Sequence, residues 1–388
     1  MQRTVRSRAV PDVLIFANTE TSPEMRHEVP VLVPDPFLYA EKDGKKITMS
    51  TAFEVDRIAE AGIEAHPYEE FGYDDLLAEG KRSRFDIIAR DLPLSACQAW
   101  GIEQALIPWS FPAYVADHLR TNGVELTPDH QFFADRRRVK NEAELEGIRK
   151  AQAAADAAMG AARDVLARAS QSNGSLTVDG EPLTVDFVKG AIRRTFTEHN
   201  VASDDFIVSH GAQTAIGHEL GSGEIAPDEP VVIDLWPKDP ESGCYADMTR
   251  TFVVGTPPDE LVEYHRLVKE ALDKSFEATK AGVPGVDIFM LVCEHFEAAG
   301  QPTVLSKKPG QVLEDGFFHG LGHGIGLEVH EAPNLGRGGT AELLPGDVVT
   351  LEPGLYRQGF GGCRLEDLVV VTENGAENLT DFPYDLTP

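Results

Sequence analysis

Residues 319–327 read HGLGHGIGL, with glycine at every second position. That alternation argues against a helix, because each of the four glycines costs about 1 kcal/mol relative to alanine in a helix interior. The stretch is predicted to be extended, with a side-chain period of two. His319, Leu321, His323, Ile325 and Leu327 then share one face. Gly320, Gly322, Gly324 and Gly326 leave the other face bare, as a strand needs where another backbone approaches closely. Two imidazoles stand side by side on the first face, and His330 follows a few residues later.

Four acids sit within or beside apolar strand segments: Asp234 in VVID, Asp247 in YADMT, Glu352 in VVTLEP and Glu366 in RLEDLVVV. Burying an unpaired carboxylate costs several kcal/mol, and four anions cannot neutralise one another. Divalent cations would satisfy them together, with His323 adding a nitrogen. Five such ligands, four of them hard oxygens, are too many for a closed tetrahedral zinc site. They suit two ions sharing carboxylates, with manganese, cobalt, iron or zinc all compatible. The leading chemistry is hydrolysis of a carbonyl compound. His218, His319 and His330 remain as hydrogen-bond donors for a developing oxyanion. Arg364, two residues before Glu366, faces the same way on a strand. It is expected either to orient Glu366 or to meet a substrate carboxylate.

The 388 residues are enough for two domains, and 42% apolar content supports full cores. A net charge of −29 argues against nucleic acid or anionic membrane as a partner. No apolar run approaches the roughly 18 residues of a membrane helix. The N-terminus, MQRTVRSRAVPDVLIFANTE, starts basic, but VLIFA is too short for a signal core and lacks a clear cleavage site. Cys97, Cys244, Cys293 and Cys363 are scattered, which fits a reducing cytoplasm better than a disulfide framework.

The first 135 or so residues are expected to form a small α/β domain. It should contain a hairpin turning at Asp43-Gly44, a helix at FEVDRIAEAGI and a short strand at RFDIIARD. His27, His66, His118 and His130 in this part have no evident carboxylate-rich setting. Asn141 with Glu144 forms a capping-box signature that opens an alanine-rich helix. From there the pattern repeats. Helices at 142–169 and about 183–199 precede a hairpin with Asp234 and Asp247. Helices at 259–280 and 286–299 precede one with Glu352 and Glu366. In the third helix Leu261, Tyr264, Val268 and Leu272 share a face.

The segments VVIDLWP…YADMTRTF, HGLGHGIGLEVHEAP, TLEPGLY and CRLEDLVVVT, in this order, resemble the pita-bread-fold metallopeptidases. These include methionine aminopeptidase, aminopeptidase P and prolidase, with creatinase as a metal-free relative. The resemblance covers roughly residues 138–385. It implies an α/β (α+β) fold with a catalytic pita-bread domain over 138–388, internally duplicated with pseudo-two-fold symmetry. A smaller creatinase-like α/β domain over 1–137 would precede it, a feature pointing to the Xaa-Pro peptidases.

The resemblance also implies the ligand set. Asp234 and Asp247 would hold one metal, and Asp247, His323, Glu352 and Glu366 the other, with Asp247 and Glu366 bridging. Glu352 would double as general base. His218 and His330 match substrate and transition-state histidines, His319 a nearby supporting one, and Arg364 the arginine before the last ligand. The implied cofactor is two divalent ions per chain, manganese first and cobalt, zinc or iron as alternatives. The implied activity is that of an Xaa-Pro dipeptidase, with aminopeptidase P as the alternative and a different enzyme or a binding protein on the same scaffold behind both. The partners expected are a proline-containing peptide and a second copy in a cytoplasmic homodimer. In one respect the chain departs from the family. DLWPKDPESGCYAD is about two residues longer than usual, and Trp236 is expected to narrow the substrate pocket.

Overall fold

A computed structural model describes residues 11–388. The basic residues Arg3, Arg6 and Arg8 of the N-terminus lie outside the described residues. The chain divides into two compact units after Arg137.

The first unit is built on six strands: β1 Val13–Ala17, β2 Phe37–Lys42, β3 Lys45–Ser50, β4 Glu64–Pro67, β5 Gln104–Ile107 and β6 Glu125–Pro128. Their order is β4-β3-β2-β1-β5-β6. β1, β2 and β3 pair antiparallel, while β4, β5 and β6 add in parallel. The turn between β2 and β3 has positive φ at both Asp43 (50°) and Gly44 (75°), the mirror-image geometry that matches strand twist. β1 alternates between two cores. Leu14 and Phe16 enter one with Leu38 and Met49, and Val13 and Ile15 enter the other with Phe37 and Tyr39. Both faces are covered, which is why VLIFA is apolar throughout rather than alternating.

Two expectations fail in this unit. RFDIIARD is helical, with Ser83 capping at its side chain the Asp86 N–H (3.1 Å), followed by a wider turn over Ile87–Asp91 and the helix Leu92–Trp100. The adjacent isoleucines suggested a strand, but the cap ahead of them starts a helix. His66 does have carboxylate neighbours: Glu70 at 2.8 Å from Nδ1 and Glu64 at 3.0 Å from Nε2.

A buried charge network also anchors this unit. Glu28 takes Arg136 Nε at 2.6 Å, Lys46 Nζ at 2.9 Å and the Tyr39 hydroxyl at 3.1 Å. Burial pushes its carboxyl up, but Arg136 and Lys46 outweigh that and hold it down at about 2. Because the folded value lies below the unfolded one, Glu28 stabilises above pH ~4.5 and loses that contribution as pH falls toward 2. The expected size is about 3 kcal/mol. Urea unfolding of wild type and Glu28→Gln between pH 2 and 6 checks this: the variant should be weaker at pH 6 and converge on wild type near pH 2. Parallel curves would remove Glu28 from the account.

The second unit repeats one order of elements. Asn141 caps the helix Glu142–Ala167 in a reciprocal box with Glu144, both bonds at 2.9 Å. Thr184 caps the next helix, Val185–Glu198. Between these helices lies a small meander, β7 Ser170–Ser172, β8 Ser175–Val178 and β9 Glu181–Pro182. β10 Ile207–His210, β11 Pro230–Leu235 and β12 Met248–Val253 then form an antiparallel sheet.

The second half follows with helices Asp259–Ala278 and Gly285–Ala298. Its strands are β13 His323–Gly324, β14 Glu331–Asn334, β15 Val348–Leu351, β16 Gly354–Arg357, β17 Gly361–Arg364, β18 Asp367–Val371 and β19 Ala376–Asn378. Five of them order as β14-β13-β15-β18-β19, and β16-β17 is a hairpin inserted between β15 and β18. Leu261, Tyr264, Val268 and Leu272 are buried as their spacing predicts. No helix among the described residues is long and apolar enough to cross a membrane.

Candidate metal centre

The four acids occupy matching positions in the two halves. Asp234 lies near the end of β11 and Asp247 immediately before β12. Glu352 immediately follows β15 and Glu366 immediately precedes β18. Ladder pairing sets Asp234 opposite Thr249. A single bridge between Thr249 and Glu366 then joins the two sheets at this point. The glycine run delivers the imidazole. Only His323–Gly324 is in the ladder, with a bulge between them, so the run is less regular than a continuous strand. Its glycines nevertheless meet backbone: a Cβ on Gly322 would lie 2.0 Å from the Thr350 carbonyl oxygen, and one on Gly324 2.1 Å from that of Ala332. Gly320 has nothing nearer than 3.9 Å, so the close approach begins after it.

Among the described residues, Asp247, His323 and Glu366 offer donor atoms that all lie within 4.8 Å of one another. His323 Nε2 is 3.9 Å from Asp247 Oδ2 and 3.7 Å from Glu352 Oε1. Its Nδ1 lies 3.1 Å from the Gly324 carbonyl, an acceptor only, so Nδ1 carries the proton and the Nε2 lone pair faces the acids. Burial, and then the neighbouring His330, hold His323 down at about 4. It is a neutral imidazole, the form that binds metal.

Burial pushes the carboxyls of Asp247 and Glu366 well up, and their neighbours' negative charge adds to it. Glu352 is pushed up to about 8 by burial, with Arg364 opposing and Asp234 reinforcing. Asp247 Oδ1 is buried without a hydrogen-bond partner among the described residues. A buried acceptor left unpaired is costly. One guanidinium beside four carboxylates leaves an excess of negative charge. Hard oxygens, one bare nitrogen lone pair and an orphaned carboxylate oxygen fit a divalent cation.

The remaining candidates separate into two groups. Arg364 makes three hydrogen bonds here: Nη2 donates to Asp234 (2.6 Å), Nη1 to the Tyr356 hydroxyl (3.0 Å) and Nε to Thr249 Oγ1 (3.3 Å). It orients Asp234 and reaches Glu366 only through Thr249, whose hydroxyl donates to Glu366 Oε2 at 2.6 Å. His319 is likewise committed. Its Nδ1 donates to the Gly320 carbonyl (2.7 Å) and its Nε2 accepts from Tyr356 (3.0 Å). Burial, then Arg364, hold it down at about 3.

His330 is solvent-exposed, with its ring edge-on to His323 at 4.3 Å between centroids. His218 is also exposed, near enough for its charge to weigh on His319 and His330. Trp236 is half-buried and packs against the core of the first half. The loop after it is tied by Lys238, which bridges to Ala202 and to Tyr245. Tyr356 and Thr249 went unnoticed in the sequence. Thr249 had a signal, since it lies two residues after Asp247 in the segment YADMTRTF; Tyr356 had none.

A mixed α/β scaffold with buried acids around one imidazole defines a metal-dependent hydrolase. The sequence model of metallopeptidase family M24 matches residues 146–373. The Xaa-Pro dipeptidase of Pyrococcus furiosus is 32% identical over 272 residues, covering 69% of this chain and 70% of that protein. Two solved structures share the fold: an Xaa-Pro dipeptidase from Bacillus anthracis (TM-score 0.76, 23% identity, 97% of this chain and 95% of that one) and an X-Pro aminopeptidase from Thermotoga maritima (TM-score 0.76, 22% identity, 97% of each chain). The chain belongs to metallopeptidase family M24. Divalent metal use comes with that family.

Proposed function

We propose that this chain is an Xaa-Pro dipeptidase that releases the residue joined to proline, using two divalent ions, manganese first. The observation that carries the reading is the buried set Asp247, His323 and Glu366, with an unpartnered Asp247 oxygen, in a chain 32% identical to a protein named Xaa-Pro dipeptidase. Asp234, Asp247, His323, Glu352 and Glu366 would hold the ions, which when bound supply Lewis-acid polarisation of the carbonyl and an acidified water.

The protein's own groups do the rest. Glu352, whose Oε1 lies 3.7 Å from His323 Nε2, takes the part of proton acceptor that the resemblance implies. Thr249 fixes one oxygen of Glu366 and Arg364 fixes one of Asp234, so both present the other oxygen inward. Tyr356 ties Arg364 to His319, which makes His319 a support for the wall rather than a substrate contact. His330 and His218, on the open side, are the groups free to donate an N–H to a peptide carbonyl as it becomes negative.

His330→Ala should keep its metal and lose about 10²–10³-fold in turnover if the imidazole supports the oxyanion. Metal content and kcat measured on one preparation check this, and an unchanged kcat would remove His330 from the reaction. Trp236 is proposed as a limit on pocket size acting from its loop.

Residues 1–137 are assigned as the creatinase-like domain and 138–388 as the catalytic one. Four unpaired, buried cysteines support a reducing, cytoplasmic setting. A homodimer follows from the resemblance alone and is tested by sedimentation.

The alternative is aminopeptidase P. It is favoured by the three hydrogen bonds that Arg364 makes within the site, which leave two of its five N–H groups rather than the whole fork for a dipeptide's carboxylate. Chelator-stripped protein reloaded with manganese and offered Ala-Pro and Ala-Pro-Ala decides. Cleavage of the dipeptide supports the first reading, cleavage of the tripeptide alone the second, and cleavage of neither overturns both.

A further inference from the structure

Arg250 is the largest fully buried side chain in the described chain, 1% exposed, and lies one residue from Thr249 at the seam between the two sheets. A guanidinium has five N–H donors in a fixed fork, and all five are spent here. Nη1 reaches the carbonyl oxygens of Thr249 (2.9 Å) and Glu366 (2.8 Å). Nη2 reaches Asp367 Oδ1 (2.9 Å) and the Phe382 carbonyl (2.9 Å), and Nε reaches the Pro383 carbonyl (3.0 Å). Its Cζ lies 4.5 Å from the ring centre of Tyr384.

Tyr384 closes the network, because its hydroxyl donates to Asp367 Oδ2 at 2.6 Å. The same Asp367 oxygen takes the Asn378 amide at 2.8 Å. The irregular C-terminal segment is held on from outside as well, by His265 to the Tyr384 carbonyl (2.7 Å) and by Val253 N–H to the Leu386 carbonyl (2.8 Å).

Two of the carbonyls that Arg250 grips are those of Thr249 and Glu366, the residues of the bridge that joins the two sheets. Their side chains meet each other at 2.6 Å. A shift of this guanidinium therefore moves the Glu366 carboxylate relative to Asp247 and His323. We propose that the C-terminal segment around Phe382, Pro383 and Tyr384, acting through Arg250 and Asp367, sets the position of Glu366 and hence the affinity of the metal centre. Arg250, Asp367 and Tyr384 are positioning residues: none is a ligand or touches substrate. The inference rests on Glu366 being a ligand.

Tyr384→Phe is the variant of choice, since it keeps the ring over Arg250 and deletes only the hydrogen bond to Asp367. Manganese(II) is titrated calorimetrically into chelator-stripped wild type, Tyr384→Phe, Arg250→Lys, Leu119→Ala and Glu366→Gln, at a temperature where circular dichroism reports each as folded. Supporting groups behind metal ligands typically matter by 10–100-fold in affinity, so Tyr384→Phe should bind manganese about tenfold more weakly. Its kcat for Ala-Pro should fall while KM stays within about twofold. Leu119→Ala, which opens a cavity in a core of the first unit, should lower Tm with manganese affinity unchanged.

If Tyr384→Phe loses Tm but binds manganese as wild type does, while Glu366→Gln binds it poorly, the segment is merely structural and the inference is overturned with the ligand assignment intact. If Glu366→Gln binds manganese like wild type, the assignment fails and takes the inference with it. Arg250→Lys, if folded, should exceed Tyr384→Phe in its loss of affinity, because an ammonium cannot span the two carbonyls.

Discussion

His323→Ala is expected to abolish hydrolysis of Ala-Pro, a loss of more than ~10³-fold, and to lower bound metal below stoichiometry. The imidazole is the one nitrogen donor of the proposed set, and it is held rigidly by the Gly324 carbonyl on one side and the His330 ring on the other. Alanine leaves Asp247, Glu352 and Glu366 facing a void with their mutual repulsion unrelieved. Metal analysis by mass spectrometry together with a turnover assay provides the check. A variant that keeps both full metal and activity would sink the assignment of His323, and with it the reason for placing imidazole beside three acids.

Gly322→Ala should cost about 3 kcal/mol of stability, because its methyl would sit 2.0 Å from the Thr350 carbonyl oxygen and 2.8 Å from its carbon. Backbone cannot rotate away as a side chain can, so one strand must shift. For a unit of this size that corresponds to a fall in Tm of about 6–12 °C. Thr350 stands two residues before Glu352, so activity should fall further than stability alone dictates. Gly320→Ala is the internal control: with neighbours no nearer than 3.9 Å it should stay within about 1 kcal/mol of wild type. Equal effects at the two positions would mean that glycine serves chain flexibility here rather than close approach.

The elements that could be read from sequence were those with local chemistry at their ends. Asn141 and Glu144 announced their helix because a capping box is a short-range interaction, and the helix Asp259–Ala278 declared itself by a repeating apolar face. The acids stood out because carboxylates are rare in apolar strands. RFDIIARD misled, since adjacent isoleucines resemble a strand until the cap at Ser83 is weighed. The glycine run was legible as a site of close packing but not as a bulge, which depends on the Ala332 and Thr350 backbones opposite. Tyr356 and Arg250 were silent for a different reason. Their roles come from partners more than 30 residues distant in one case and more than 100 in the other, as with His319 and Glu366.

The bridge between Thr249 and Glu366 ties the two sheets with one rung, and the proposed ligands on either side of it span residues 234 to 366. No unfolded or half-folded chain brings those donors together, so a cation bound there recognises the completed fold and nothing earlier. Binding energy then becomes folding energy: at a hundredfold excess over Kd it would add about 2.7 kcal/mol to the folded state. Metal supply thus becomes a brake on unfolding, and chelation a way of releasing it. A cell short of the ion would hold fewer active molecules and, in addition, shorter-lived ones.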